Sequence, residues 1–398
     1  MAFLRASWNI LENYEFIAGT MGDAVPRAWR SWPEDVRIPV ARPRLPAASD
    51  VMPYLERIDA SRWYSNGGPL VCELEARIAQ RFGVSSSRVA LVANATTGLT
   101  LALEALEVPR GTLCMMPAWT FAASAHAALA AGLIPWFVDV DERTWSLTPA
   151  LARNFLREAP GTVGAIMPVA PFGYPVDAEG WDELDAAEEC AVVVDGAAAF
   201  DSARACSRAV VVSLHATKVL SAGEGGFVVC RDADTAVGIK ARANFGFSGS
   251  REACINATNA KLSEYAAAVA LASLDGWERR RAGFRRVAQE YAAALHGIPG
   301  VALQPGYGDE WVSATTNVSL PNGCIDPLED ALSAGGFGHR RWWGDGLTAH
   351  RAFSNCPRTR TAVTERLSAT VLGVPCWEDL PNDAIVRIGE TVREVCGR

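Results

Sequence analysis

The chain has 398 residues, 49% hydrophobic and 21% charged, with a formal net charge of -8. An acidic balance argues against a general nucleic-acid binder, which carries a basic face, and no apolar run reaches the length of a membrane span. The ten cysteines form no CxxC pair, and several sit in apolar runs such as Val228-Val229-Cys230. They read as buried free thiols of a reducing compartment. The opening MAFLRASWNI lacks the apolar core of a signal peptide. The expectation is a cytoplasmic protein with no membrane and no nucleic-acid partner.

Residues 1–39 carry several tryptophans with Pro26, Pro33 and Pro39 and show no clean period. They are predicted to form an N-terminal extension. A large α/β domain is predicted over 40–275. Val51, Leu55 and Ile58 give a helical stripe, and Ser65-Asn66-Gly67-Gly68-Pro69 marks a turn. Leu70, Leu74, Ile78 and Phe82 define a second helix. Val89–Val92 reads as a buried strand that ends at Asn94-Ala95-Thr96-Thr97-Gly98, opening a helix with Leu99, Leu103 and Leu106. Strands follow at 113–116, 134–140, 165–169, 191–194, 210–214 and 226–230, with helices at 121–131 and 179–189. A long helix is predicted over 261–290, broken near Gly276 or Gly283. It leads into a small α+β domain, 276–398, read from apolar segments at 301–303, 316–320 and 328–332.

Short apolar strands alternating with helices imply a mostly parallel sheet covered on both faces. Ligands of such sheets bind beyond the carboxyl ends of the strands, and three such ends carry polar groups. Asp195 follows Val192-Val193-Val194; it reads either as a helix N-cap or as a carboxylate paired with a cofactor's pyridine nitrogen. Lys218 follows the strand ending Val212-Ser213-Leu214, with Ser221-Ala222-Gly223-Glu224-Gly225-Gly226 behind it. Hydroxyls and glycines around a lysine suit a phosphate and a bulky ligand, and a lysine in a low-polarity pocket can form a Schiff base. Thr96 and Thr97 open a helix, where free N–H groups bind anions. Gly223–Gly226 is no dinucleotide fingerprint, because it precedes a strand. The five histidines lack zinc spacing, so no metal is expected.

In order, these segments resemble the DegT/DnrJ/EryC1/StrS family of sugar aminotransferases. The landmarks are NATTGLTLALEAL at 94–106, PAWTFAASAHAALAAG at 117–132, PWFVDVD at 135–141, VVVDGAAAFD at 192–201, SLHATKVLSAGEGG at 213–226 and NAKLSEYAAAVALASLD at 259–275. The resemblance covers about residues 40–396. It implies a fold-type I transferase: a mostly parallel seven-stranded sheet flanked by helices, plus the small C-terminal domain. It also implies pyridoxal 5′-phosphate as cofactor, with Lys218 as the Schiff-base lysine and Asp195 on the ring nitrogen. Ser213, Thr96 and Thr97 match phosphate-binding positions. Phe121 or Trp119 matches the aromatic that stacks on the ring. Asn259 matches an asparagine that reaches the neighbouring subunit's cofactor, which implies a homodimer with shared active sites. One position departs: Ala198 stands where the family usually has Gln or His.

The implied reaction moves an amino group from glutamate, leaving 2-oxoglutarate, to a nucleotide-linked keto-deoxysugar at C3 or C4. A cyclitol ketone is the alternative acceptor. A non-catalytic regulator would be expected to lack Lys218 or Asp195, and a sugar dehydratase relative would carry His for the lysine. The resemblance places Tyr64, Ser65 and Asn66 at substrate-facing positions; His215, close to Lys218, is a further substrate-side candidate and reads either as a polar neighbour of the cofactor or as packing. Arg340-Arg341-Trp342-Trp343 reads either as a pyrophosphate-and-base site, with Arg340 the substrate cation, or as packed tryptophans. Lys240 and Arg242 read as solvated helix charges.

Overall fold

The computed structural model describes residues 37–188 and 190–397. All but three residues of the predicted 1–39 extension therefore lie outside the described residues. The described chain begins on the small domain rather than the large one. The Arg37 N–H donates to the Gly336 carbonyl, Ile38 bridges Phe337 and Ala41 bridges Cys376. Only then does it enter helix α1 (Ala48–Ser61) and helix α2 (Pro69–Phe82).

Seven strands form the central sheet: β1 (Val89–Val92), β2 (Leu113–Pro117), β3 (Ile134–Val138), β4 (Val163–Ile166), β5 (Ala191–Asp195), β6 (Ala209–Ser213) and β7 (Gly226–Cys230). Their order is β1-β7-β6-β5-β4-β2-β3, and only β7 runs antiparallel to its neighbours. The strands are nearly continuous runs of buried apolar residues because helices cover both faces. Helices α3 (Ala95–Ala105), α4 (Ala122–Ala130) and α7 (Ala233–Ala243) share a core with the strands on one face. On the other face α5 (Pro149–Leu156) and α6 (Ala178–Ala187) pack on β2 to β5, and α2, α8 (Glu264–Asp275) and α9 (Trp277–Leu295) pack in a core that runs on into the small domain. The predicted long helix breaks at Gly276, between α8 and α9.

The small domain has a three-stranded antiparallel sheet, with β9 (Thr316–Ser319) between β10 (Val371–Val374) and β8 (Ala302–Leu303). The apolar run 328–332 belongs to helix α10 (Ile325–Ala334). Helix α12 (Asn382–Cys396) shares the continuous core with α9 and α10. All ten cysteines are unpaired; six are buried, but Cys72 and Cys254 are exposed, so the expectation of buried thiols holds only in part. Among the described residues no helix is long and apolar enough to cross a membrane.

Two contacts tie the domains together near the carboxyl ends of the strands. Asp139, just past β3, accepts from the N–H groups of Val363 (2.8 Å) and Thr364 (2.9 Å) and from the Thr364 hydroxyl (2.9 Å). It thereby caps helix α11 (Ala362–Thr370) from across the interface. Beside it Trp343 stacks on Phe172 at 4.0 Å and meets Trp119 edge-on at 5.4 Å. Asp139→Ala is expected to lower stability by about 1–2 kcal/mol. Denaturant unfolding checks this: an unchanged midpoint would mean that the cap contributes nothing.

Candidate active site

Asp195, Ser213 and the Lys218 turn lie side by side because β5, β6 and β7 are adjacent. Asp195 is the last residue of β5 and pairs with Val211 of β6; Ser213 is the last residue of β6 and pairs with Gly226 at the start of β7. Gly226 in turn pairs with Val92, next to the turn that opens α3. A side chain at Gly226 is impossible without movement: a Cβ there would lie 2.8 Å from the Ala95 nitrogen and 2.9 Å from the Asn94 carbonyl carbon. The missing Cβ lets β7 abut the start of α3.

That start is built to bind an anion. Asn94 caps the helix by accepting from the Thr97 N–H at 2.8 Å. The first-turn amides of Ala95 and Thr96 have no place in the helical hydrogen-bond ladder, and the hydroxyls of Thr96 and Thr97 are half-buried beside them. Gly98 allows this turn to sit close on the sheet, where its Cβ would touch Val211 at 3.0 Å. Ser213, buried, faces the same end of the sheet and accepts from the His215 N–H at 3.1 Å.

Lys218 sits in a tight turn between β6 and β7. The turn is closed by hydrogen bonds from Leu214 N–H to the Gly225 carbonyl, Ala216 N–H to Gly223, and Ala222 N–H to Leu214. Gly223 adopts φ +83°, a left-handed conformation that glycine tolerates. Part of Lys218's surface is open, but burial of its amine lowers the pKa below the ordinary lysine value, and the Asp195 charge only partly restores it. Burial raises the Asp195 pKa; the Ser124 hydroxyl at 2.7 Å, the Ala197 N–H at 3.1 Å and the Lys218 charge each act against that rise. An amine and a carboxylate shifted toward each other's range are a general-base and electrostatic pair. The N-cap reading of Asp195 does not apply, since no α-helix follows it before β6.

The two aromatic candidates separate. Phe121 is the N-cap of α4 and is 62% exposed, so its ring is free to cover a ligand. Trp119 is 2% exposed and committed to the Trp343 contact, its indole N–H unpartnered. His215 organises the lysine turn: its Nδ1 lies 2.8 Å from the Thr217 hydroxyl and its Nε2 3.7 Å from Glu224. Tyr64 is exposed and stacks on Tyr265 at 6.3 Å; exposed Asn66 takes a left-handed φ of +63° in the same turn. Asn259 is exposed, and its Oδ1 accepts from Lys261 Nζ at 2.7 Å.

The Arg340–Trp343 segment resolves mostly toward packing. Trp343 stacks on Phe172, and Arg341 is held by Glu329 (2.6 Å) and Asp326. Arg340 is exposed, with its guanidinium 5.2 Å from the Trp342 ring. Lys240 is not a free charge; it pairs with Glu75 at 2.8 Å. Position 198 offers only a methyl group. Sequence reasoning missed Ser124, hidden in an alanine run, and Arg42. Arg42 lines the cavity beside Lys218 together with Pro43, Thr217, Ala314 and Trp377. A wider groove along α9 contains none of these residues.

The donor set fits a phosphorylated pyridine aldehyde: a helix start with hydroxyls for the phosphate, a buried carboxylate for a ring nitrogen, a low-pKa amine for the aldehyde and Phe121 for the ring face. Residues 47–393 match the DegT/DnrJ/EryC1/StrS aminotransferase family. The chain is 30% identical to the dTDP-4-amino-4,6-dideoxy-D-glucose transaminase of Escherichia coli, over 89% of this chain and 97% of that protein. It is also 30% identical to the UDP-N-acetyl-3-dehydro-alpha-D-glucosamine 3-aminotransferase of Acidithiobacillus ferrooxidans, over 80% and 87%. The crystal structure of DesI with its TDP-sugar product superposes with a TM-score of 0.81 at 32% identity, covering 91% of this chain and 93% of that one. Gly226→Ala is expected to weaken pyridoxal phosphate binding by about tenfold, because the added methyl pushes β7 off the helix start. Cofactor titration checks this; wild-type affinity would show that the close approach does not matter.

Proposed function

The chain belongs to the DegT/DnrJ/EryC1/StrS aminotransferase family and is an aminotransferase; on that premise we propose that it uses pyridoxal 5′-phosphate to transfer an amino group from glutamate to a nucleotide-linked keto-deoxysugar. The observation that carries this reading is the Lys218 amine, depressed by burial, opposite the buried Asp195 carboxylate beside an anion-binding helix start.

Lys218 would hold the cofactor through Nζ, Asp195 its ring nitrogen, and Ser213 with the α3 start its phosphate. When bound, the cofactor supplies an electron sink that stabilises negative charge at the carbon losing its proton. The chain's own residues do the rest. Lys218 Nζ, once free, would act as the base, and burial holds its pKa below the ordinary lysine value. It takes the proton from the Cα of glutamate. Asp195, opposite the ring nitrogen, would keep that nitrogen protonated, while the Cα proton stays with Lys218 Nζ. Water would replace the nitrogen on the donor carbon, which leaves as 2-oxoglutarate while the amino group stays in the site; the sugar's ketone would then enter, giving up its oxygen as water on taking that nitrogen, and Lys218 would return a proton to the sugar carbon. The activities for which the two relatives are named, amination of a nucleotide sugar at C4 and at C3, support a ketone at one of those carbons. Arg340, Tyr64 and Asn66, all exposed, are the polar groups offered to the sugar nucleotide.

A homodimer with shared sites belongs to the same reading. Asn259 lies on an exposed segment that also carries Phe245 and Ile255, large apolar side chains left in solvent by a single chain. A second copy would cover them and receive the Asn259 side chain at its phosphate.

Borohydride reduction of the purified protein with pyridoxal phosphate should leave a stable adduct on Lys218, and Lys218→Ala should leave none. Absence of an adduct in the wild type overturns the reading. A panel of nucleotide-linked 3- and 4-keto sugars and a cyclitol ketone, each with glutamate and read by product mass, identifies the acceptor. Product from the cyclitol alone overturns the sugar assignment. For the shared site, co-expressed Lys218→Ala and Asn259→Ala chains should regain activity that neither has alone, because one site of each mixed dimer is intact. No regain means that each chain is self-sufficient.

A further inference from the structure

Helix α4 begins Ala122-Ala123-Ser124-Ala125, followed by His126, Ala127 and Ala128. Alanine is the better helix former and fits the same space, so a buried serine here carries a cost unless its hydroxyl is used. Ser124 is fully buried, and its hydroxyl donates to Asp195 Oδ2 at 2.7 Å. Behind it the buried Thr120 hydroxyl lies 3.0 Å from the Ser124 oxygen. We propose that Ser124, backed by Thr120, is a positioning residue that keeps Asp195 ionised and aimed at the cofactor's ring nitrogen. This rests on the pyridoxal phosphate reading above.

The direction of the relay follows from proton counting. An ionised carboxylate only accepts, so the single Ser124 proton points at Asp195. The Ser124 oxygen is then open as an acceptor, and the hydroxyl that fills it is Thr120's. Both donors point toward the carboxylate, and the second polarises the first. The backbone N–H of Ala197 takes the other oxygen, Oδ1, at 3.1 Å. Two protein donors therefore clamp the carboxylate, one on each oxygen, which fixes its plane as well as its charge. Lys218 is the charged side chain acting on Asp195 from the neighbouring turn.

Removing the hydroxyl leaves a buried carboxylate with one donor. Such a carboxylate binds a proton more tightly, and the nearest proton is the one on the ring nitrogen. It would shift toward Asp195, and the ring would lose the positive charge that makes it an electron sink. Ser124 touches neither substrate nor cofactor in this account; it acts through Asp195.

The test uses full-length protein loaded with pyridoxal phosphate labelled with ¹⁵N in the ring. Wild-type protein must first give the borohydride adduct; if it does not, the function reading fails and not this one. Ser124→Ala should keep the adduct, move the ring-nitrogen resonance toward the unprotonated position and raise the cofactor's dissociation constant by about tenfold. Ser124→Thr should restore both, and Thr120→Val should shift both in the same direction by less. A purely structural serine would lower thermal stability and leave the ring-nitrogen resonance in place, and that result overturns the proposal. If Ser124→Ala does not fold, Thr120→Val decides alone: an unchanged resonance and affinity overturn it.

Discussion

The site depends on one constraint: a buried carboxylate and a partly covered lysine brought together at the end of one buried sheet. Asp195 is 5% exposed, so the protein must supply its donors and a fixed geometry in place of water. Strand pairing provides the geometry. Because β5, β6 and β7 are neighbours and β7 meets β1, three chain segments end within one short arc: Asp195, Ser213 with the lysine turn that follows it, and the start of α3. The antiparallel β7 is what allows the lysine turn to fold back at once, with Gly223 and the Gly225 carbonyl closing it.

A second tier of contacts keeps this arc from opening. Asp139 and the Phe172–Trp343 stack hold the small domain against the strand ends. On the far side of the site, buried Glu264 accepts from the N–H groups of Leu70 and Val71 at 2.8 and 2.9 Å. It caps α2 and ties the turn carrying Tyr64 and Asn66 to the start of α8. Gly68 is needed there, since a Cβ would sit 2.7 Å from the Glu264 carboxyl carbon. Asp139 and Glu264 each take free helix amides from a distant segment, so each carboxylate ties two elements together and gains from the helix dipole it caps.

Much of this was legible in the amino acids because strand periodicity and strand-end chemistry are local. The seven sheet strands and the helix start at Asn94 follow from short apolar runs and a capping side chain; two glycines, Gly276 and Gly283, offer a break in the long helix, and the chain uses Gly276. Asp195 and Lys218 stood out as charges after apolar strands. What was hidden is what depends on distant pairing. Ser124 sits in an alanine run and acquires meaning only when α4 is laid against the end of β5. Trp119 and Phe121, two residues apart, looked equivalent until the small domain buried one and left the other open. Trp343 carries no local sign that Phe172 is its partner. The apolar run 328–332 is too short for period alone to separate helix from strand.

The shifts of Asp195 and Lys218 also bear on how long an unloaded chain survives. A carboxyl whose folded pKa is raised stabilises the fold only at acid pH and loses that contribution as pH rises through the folded value. An amine whose folded pKa is lowered stabilises the fold only at high pH and loses that contribution as pH falls. Around neutrality both groups work against folding, relieved only by each other and by the Ser124 and Ala197 donors. A ligand that places a cationic ring nitrogen against Asp195 and consumes the Lys218 amine removes both penalties together. Its binding energy then becomes folding energy. On the proposed reading, a chain lacking that ligand would open more readily to proteases, and ligand supply would bear on the lifetime of the protein as well as on its turnover.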